Sequence, residues 1–394
     1  MSRILILLLL IIFSGQVIAQ PFNTGHYTKS FQDASRNNRN INAEIYYPAD
    51  TDGNNVPVAV NGGTFPVVVF GHGFVMVWSA YENVWNALTE AGFIAVFPTT
   101  EDGFAPNHTE FGKDIAFLVT AIQNEGQLST SILYNRVAST SAVMGHSMGG
   151  GSSFLSVQYN PSITAIANLA AAETNPSAIA ACASITIPAL VIAGANDCIT
   201  PPATNQLAMY NALGSNCKAY VSITGGSHCQ FANSNFNCNF GELTCTPAPA
   251  ISRAQQHAIK NSVLIPWLNY QLKNDCNAAA LFENLIANPS GFTAQKNCVL
   301  CPVSLEEQLE IKADFNINPT LVSEYLNIST DNFPVTDARI ILVDSKGDVL
   351  FDQHQDFEQG KPFRLGIEYL SAGIYFVKIS GGKFSPVVKK IIKY

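Results

Sequence analysis

Charge is scarce in this sequence. Only 13% of its 394 residues are Asp, Glu, Lys or Arg, fewer than a cytosolic protein usually carries and closer to an exported one. The net charge of -8 is not gathered into any acidic or basic block. Nothing therefore draws the chain electrostatically to nucleic acid or to an anionic membrane. After the N-terminal run ILILLLLIIF no second long apolar run occurs, so no transmembrane segment is expected in the mature chain. Cysteine is missing before residue 182 and after residue 301; all nine lie between.

What is present at the N-terminus explains the low charge. Arg3, the short apolar run and then Val17-Ile18-Ala19 read as a signal peptide over residues 1–19, cut after Ala19. In an exported chain the cysteines should be largely oxidised, and an odd count leaves at least one free thiol or an intermolecular bond. Cys298-Val-Leu-Cys301 lies near a domain end, not at the opening of a thioredoxin-like helix, which argues against a redox site. No metal site and no cofactor are expected.

Residues 20–300 alternate buried strand-like runs with amphipathic stretches. FPVVVF (65–70), FIAVFP (93–98), ITAIANLAA (163–171), IPALVIAG (187–194) and KAYVSITGG (218–226) read as strands. YENVWNALTEAG (81–92) and PPATNQLAMYNALG (201–214) read as helices, and NINAEIYYP (40–48) as an antiparallel edge. Such alternation predicts a mostly parallel sheet flanked by helices on both faces, an α/β class. A glutamate-rich linker follows over 301–315. Residues 316–394 switch to period-two alternation with Lys-Gly and Gly-Gly turns, predicting a small β-sandwich.

The chemistry is concentrated in VMGHSMGGG. Gly145, Ser147 and Gly149 form Gly-x-Ser-x-Gly between a strand-like run and a stretch able to become a helix. That context predicts a tight turn that lifts the Ser147 hydroxyl above the carboxyl edge of the sheet. A serine hydroxyl needs a base, and the base an orienting carboxylate. Asp197 follows one strand, fifty residues after the serine, and His228 follows the next, thirty-one further on. His257, in a helical stretch, is a weaker candidate. Two backbone N–H groups should meet the developing oxyanion, those of Met148 and, in the GHGF loop, Phe74. His146 and Glu173 are expected in the substrate cleft. Cys198 and Cys229 follow acid and base directly and are candidates for a bridge between their loops. Cys238 and Cys245 bracket a short loop and are candidates for a second.

From about residue 40 to 272 the chain resembles the α/β-hydrolase superfamily, and within it the bacterial cutinase and polyester (PET) hydrolase branch. FPVVVFGHGF, VMGHSMGGG, LVIAGANDCITPP and GGSHCQF carry the likeness. It implies Ser147, Asp197 and His228 as nucleophile, acid and base, with the Phe74 and Met148 amides as oxyanion donors. It also implies a Cys198–Cys229 pair similar in placement to an active-site bridge of some of these enzymes. Two departures stand out. AAETNPSA replaces a usual aromatic-clamping tryptophan, with Glu173 or a neighbour in its place, and Phe74 stands where tyrosine is common. INPT, VDSKGDVLFD, SAGIYFVKISGG and KKIIKY make residues 316–394 similar to the type IX secretion sorting domain of Bacteroidetes, implying the secretion machinery as a partner and an extracellular or cell-surface location. The expectation is a monomeric secreted serine esterase with an open cleft, acting on polymeric or acyl esters. The alternatives are a small-molecule carboxylesterase or lipid acetylhydrolase, and a non-catalytic surface binding protein.

Overall fold

The computed structural model describes residues 21–298, 300–301, 315–330, 334–381 and 384–394. The expected signal peptide, and the expected linker apart from its two end residues, lie outside these. The chain divides into two compact units, Met1–Cys301 and Pro302–Tyr394.

The first unit runs β1 (Asn23–Asp33), β2 (Arg39–Ala49), β3 (Gly53–Asn54), β4 (Phe65–Gly71), α1 (Glu82–Glu90), β5 (Ile94–Pro98), α2 (His108–Glu125), β6 (Val137–His146) and α3 (Met148–Ser156). It continues β7 (Ala165–Leu169), α4 (Ala178–Cys182), β8 (Ala189–Gly194), α5 (Gln206–Ala212), β9 (Lys218–Ile223), α6 (Phe236–Glu242), α7 (Arg253–Lys273), α8 (Cys276–Ala287) and β10 (Phe292–Lys296). One ten-stranded sheet has the order β10-β9-β8-β7-β6-β4-β5-β2-β1-β3. Strands β5, β4, β6, β7, β8 and β9 are parallel neighbours. Antiparallel pairs β2–β5, β1–β2 and β9–β10 extend it on both sides. This is an α/β-hydrolase arrangement.

Strands β4, β5, β7 and β8 are buried at every position because both faces are covered. Val67 and Val69 of β4 join one core with Phe111, Ile115 and Phe154 of α2 and α3. Val68 and Phe70 between them join the other with Val84, Leu88, Leu264 and Trp267 of α1 and α7. The expected helix over 201–214 is shorter, because residues 201–205 form a turn in which Thr204 and Asn205 N–H both donate to Pro201 O, and α5 starts only at Gln206. Strand β1 and the long helix α2 were not anticipated; burial in β1 alternates from Tyr27 to Asp33, but Lys29 and Asp33 stand at inward positions, so no apolar alternation marks it in the sequence.

Two buried charges differ in their surroundings. Asp114 of α2 accepts from Arg39 Nε (2.9 Å) and Nη2 (2.7 Å) and from Thr100 Oγ1 (2.6 Å), with Arg36 Nη1 at 2.7 Å. It is fully buried, so these partners replace its hydration and tie α2 to the turn between β1 and β2. Lys260 of α7 is also buried, but its Nζ meets the neutral Asn83 Oδ1, and desolvation lowers its pKa to about 7.

The second unit is all β: β11 (Phe315–Asn318), β12 (Leu321–Val322), β13 (Tyr325–Thr330), β14 (Val335–Asp344), β15 (Val349–Phe357), β16 (Phe363–Gly366), β17 (Gly373–Gly381) and β18 (Phe384–Lys393). A three-stranded sheet, β11-β13-β16, and a five-stranded sheet, β12-β18-β17-β14-β15, enclose one core that includes Ile328, Ile340, Leu365 and Val377. It is a small β-sandwich.

Replacing Asp114 with alanine leaves the two arginines without their shared carboxylate and should lower stability in chemical denaturation by roughly 3 kcal/mol. The penalty for burying the Lys260 ammonium is complete below its folded pKa, fades as pH rises and is gone above the ordinary lysine pKa. Lys260→Met should therefore gain more in melting temperature over the wild type at about pH 6 than at about pH 10.

Candidate active site

Strand β6 ends at His146 and α3 begins at Met148, leaving Ser147 alone at the turn with φ 55° and ψ -122°. Its backbone is pinned on both sides. Ser147 N–H donates to Leu169 O (3.1 Å), and its carbonyl accepts from Ala172 N–H (2.9 Å) and Gly151 N–H (3.1 Å). The flanking glycines make the turn sterically feasible. A Cβ on Gly149 would lie 2.1 Å from Gly71 O, and one on Gly145 would lie 2.3 Å from the Gly149 carbonyl carbon. A left-handed φ at a serine costs about 1–3 kcal/mol and persists only where the surroundings over-determine it.

Asp197 and His228 come from the loops after β8 and β9, which are parallel neighbours. His228 Nδ1 lies 2.8 Å from Asp197 Oδ2, with both residues buried. All the Asp197 lone pairs facing protein are used: Oδ1 accepts from Ile199 N–H (2.9 Å) and Thr200 N–H (2.8 Å), and Oδ2 also accepts from Thr200 Oγ1 (2.8 Å). Ser147 and His228 line one cavity of about 150 Å³, with Phe74, Met76, Ile199 and Gly241 among its other walls. Among the described residues no hydrogen bond joins the Ser147 hydroxyl to His228. The Met148 N–H opens α3 and has no intrahelical acceptor. The Phe74 N–H is likewise unengaged among the described residues, and the half-exposed Phe74 ring stands at the rim. His257 sits on α7, partly buried, with its pKa lowered to about 4 by desolvation, and does not line this cavity.

Three expectations need correction. His146 does not line the cleft. It is fully buried beneath it, its Nε2 3.1 Å from the His228 carbonyl and its Nδ1 3.0 Å from Tyr81 Oη. Burial holds its pKa well below the ordinary histidine value, so the ring is neutral. A carbonyl only accepts, so Nε2 carries the proton and Nδ1 accepts from Tyr81. Tyr81 Oη in turn accepts from Gly73 N–H (2.8 Å). A continuous buried chain thus joins the Phe74 loop to the His228 loop. Glu173 is exposed, is not among the cavity residues, and caps α4 by accepting from Ile179 N–H (3.0 Å). The cysteines pair otherwise than expected: Cys198 with Cys245 and Cys229 with Cys238. Helix α6 lies between the two loops, so each cysteine meets a partner on that segment instead of the other. Cys217–Cys298 and Cys276–Cys301 separate the Cys-x-x-Cys pair, and Cys182 is the free, buried thiol, its pKa pushed up to about 12.

Among the described residues no cluster of three or more His, Cys, Asp or Glu is placed to hold a metal ion, and no helix is long and apolar enough to cross a membrane.

Residues 20–245 match the PET hydrolase-like family. The chain belongs to that family. Residues 316–394 match a secretion system C-terminal sorting domain, which makes this family member an extracellular or cell-surface protein. Among similar curated proteins, Cutinase 1 of Thermobifida cellulosilytica is 35% identical over 25% of this chain and 37% of its own length. Cutinase est1 of Thermobifida alba is 26% identical over 47% of the chain and 56% of its own. The bis(hydroxyethyl) terephthalate hydrolase of Streptomyces coelicolor is 26% identical over 47% of the chain and 54% of its own. The chain thus spans between about a third and a little over half of these relatives.

Thr200 and Gln206 are polar site residues that the sequence reading missed. Thr200 Oγ1 lies 3.0 Å from His228 Nδ1 and accepts from Gln206 Nε2 (3.0 Å), which also donates to Ala171 O (2.6 Å). A threonine before Pro201 gives no sign of this beyond its distance from Asp197. Thr200→Val removes one of the carboxylate's four hydrogen bonds and should lower stability by about 1–2 kcal/mol, with Thr200→Ser restoring most of it, as thermal unfolding would measure.

Proposed function

We propose that this family member is a serine ester hydrolase that cleaves carboxylic esters, including those of polyesters, through an acyl-enzyme on Ser147. One observation carries the reading: a serine strained at the strand-to-helix turn shares a cavity with a histidine whose far nitrogen is held by a buried carboxylate. Cutinases and a terephthalate ester hydrolase among its relatives support the substrate class.

In the proposed reaction, Ser147 Oγ bonds to the ester carbonyl carbon while its proton passes to His228 Nε2. Asp197 holds the imidazole with Nε2 directed at the cavity and stabilises the charge it gains. The carbonyl oxygen, now an anion, meets the free N–H groups of Met148 and Phe74. The C–O bond to the alcohol breaks, and His228 returns the proton to the departing oxygen. Water, deprotonated by the same imidazole, then releases the acid. The Ser147–His228 hydrogen bond forms when substrate is bound, as catalytic contacts tighten in the complex. The sorting domain hands the protein to a type IX secretion machinery.

A second reading, a hydrolase of small dissolved esters, is favoured by the cavity volume of about 150 Å³, which is below the ~300 Å³ typical of the smaller ligand sites. Ser147→Ala should cut hydrolysis of a short p-nitrophenyl ester by at least ~10³-fold at unchanged melting temperature; wild-type turnover in that variant refutes the mechanism. Release of soluble products from aliphatic and aromatic polyester films by the wild type separates the two readings, since the second predicts none from either.

A further inference from the structure

Helix α6 and the residues just after it are joined to three loops of the candidate site, those of Asp197, His228 and Phe74. Cys238 is bonded to Cys229, next to His228, and Cys245 to Cys198, next to Asp197. Glu242 Oε1 accepts from Cys229 N–H (3.1 Å), and Asn237 Nδ2 donates to Val75 O (2.7 Å) in the Phe74 loop. A seven-residue helix that would be marginal alone is thereby fixed from three sides. Asn237, Cys238 and Gly241 of this strap line the cavity together with Phe74 and Met76.

Gly241 is the informative position. Its φ lies outside the left-handed region, so nothing in the backbone requires glycine. A Cβ added there finds a single heavy atom within 4 Å, Ile199 Cδ1 at 3.9 Å, and Ile199 lines the same cavity. Glycine also weakens a helix relative to alanine or leucine. Backbone geometry, packing and helix propensity all permit a larger residue, and Gly241, exposed at the cavity rim, would direct one beside Ile199 of the same cavity.

Resting on the esterase reading above, we propose that the strap is the specificity wall of the cleft. The missing side chain at Gly241 sets the bulk of the ester arm admitted between α6 and Phe74. Because the strap is tethered to the acid, histidine and Phe74 loops at once, its wall is rigid. The slot discriminates by shape and not by closing on its substrate.

The test is a pair of ester series, p-nitrophenyl acetate, butyrate and octanoate for the acyl arm and methyl, butyl and octyl acetate for the alcohol arm. Each is measured with the wild type, Gly241→Ala and Gly241→Leu. Filling the slot should lower kcat/KM for the longest member of one series at least tenfold more than for its shortest, with alanine intermediate. Alanine adds only a methyl in open space, so it reports the trend even where leucine disturbs folding. An unchanged length preference in variants that still hydrolyse acetate overturns the specificity wall and leaves the esterase reading standing. A wild type that hydrolyses no ester in either series overturns the esterase reading, and the inference with it.

Discussion

The close approach of helix α3 to strand β4 is the constraint on which the site depends. Gly149 packs against the Gly71 carbonyl at a separation that leaves no room for a methyl group, and Gly145 packs equally closely on Gly149. Only with that contact can β6 pass directly into α3, and only in that tight turn is Ser147 forced into a left-handed φ with its carbonyl tied to Gly151 and Ala172. The strain is local, but its support is the two-sided core. Neighbouring residues of β4 bury on opposite faces, so the strand cannot shift to relieve the turn without disturbing both layers.

The histidine side of the site is positioned by a different device, side chains that bond to the backbone of the His228 loop. Gln256 of α7 brackets Ser227, donating to its carbonyl (2.8 Å) and accepting from its N–H (2.9 Å). Arg253 donates to the carbonyls of Cys229 and Ala232. His146 holds the carbonyl of residue 228 from below and, through Tyr81, connects that hold to Gly73. Each side chain replaces the solvation of a loop carbonyl or amide that would otherwise be buried without a partner. The loop is irregular in conformation, yet its backbone is held at residues 227, 228, 229 and 232, while Ser227 Oγ and Gln230 Oε1 are buried without a partner.

Covalent bonds finish what these contacts begin. The two disulfides of the α6 strap do not join acid loop to histidine loop directly; they join each to a third element, which the Asn237–Val75 bond then carries across to the Phe74 loop. A direct bridge would hold two loops in register. The indirect arrangement holds three and builds a wall of the cavity at the same time. This wall of the cavity therefore comes from a segment after His228 in the chain.

The sequence by itself determined the alternation of strands and helices, the family and the order of the serine, acid and histidine candidates. These depend on local patterns: unbroken apolar runs for strands covered on both faces, glycines where backbones meet, and one polar residue just past a strand end. The roles of His146, Glu173, Thr200 and the cysteines near the site were decided only by the tertiary structure. His146 and Glu173 stand close to the serine or its neighbouring loop in the chain, but one turned inward to a carbonyl and the other to a helix end. Cys198 and Cys229 sit beside Asp197 and His228, but the partner of each was set by where the α6 segment packs, forty-seven and nine residues further on. Adjacency along a chain says which groups share a loop, whereas burial and direction, set by packing between distant elements, say which of them meet.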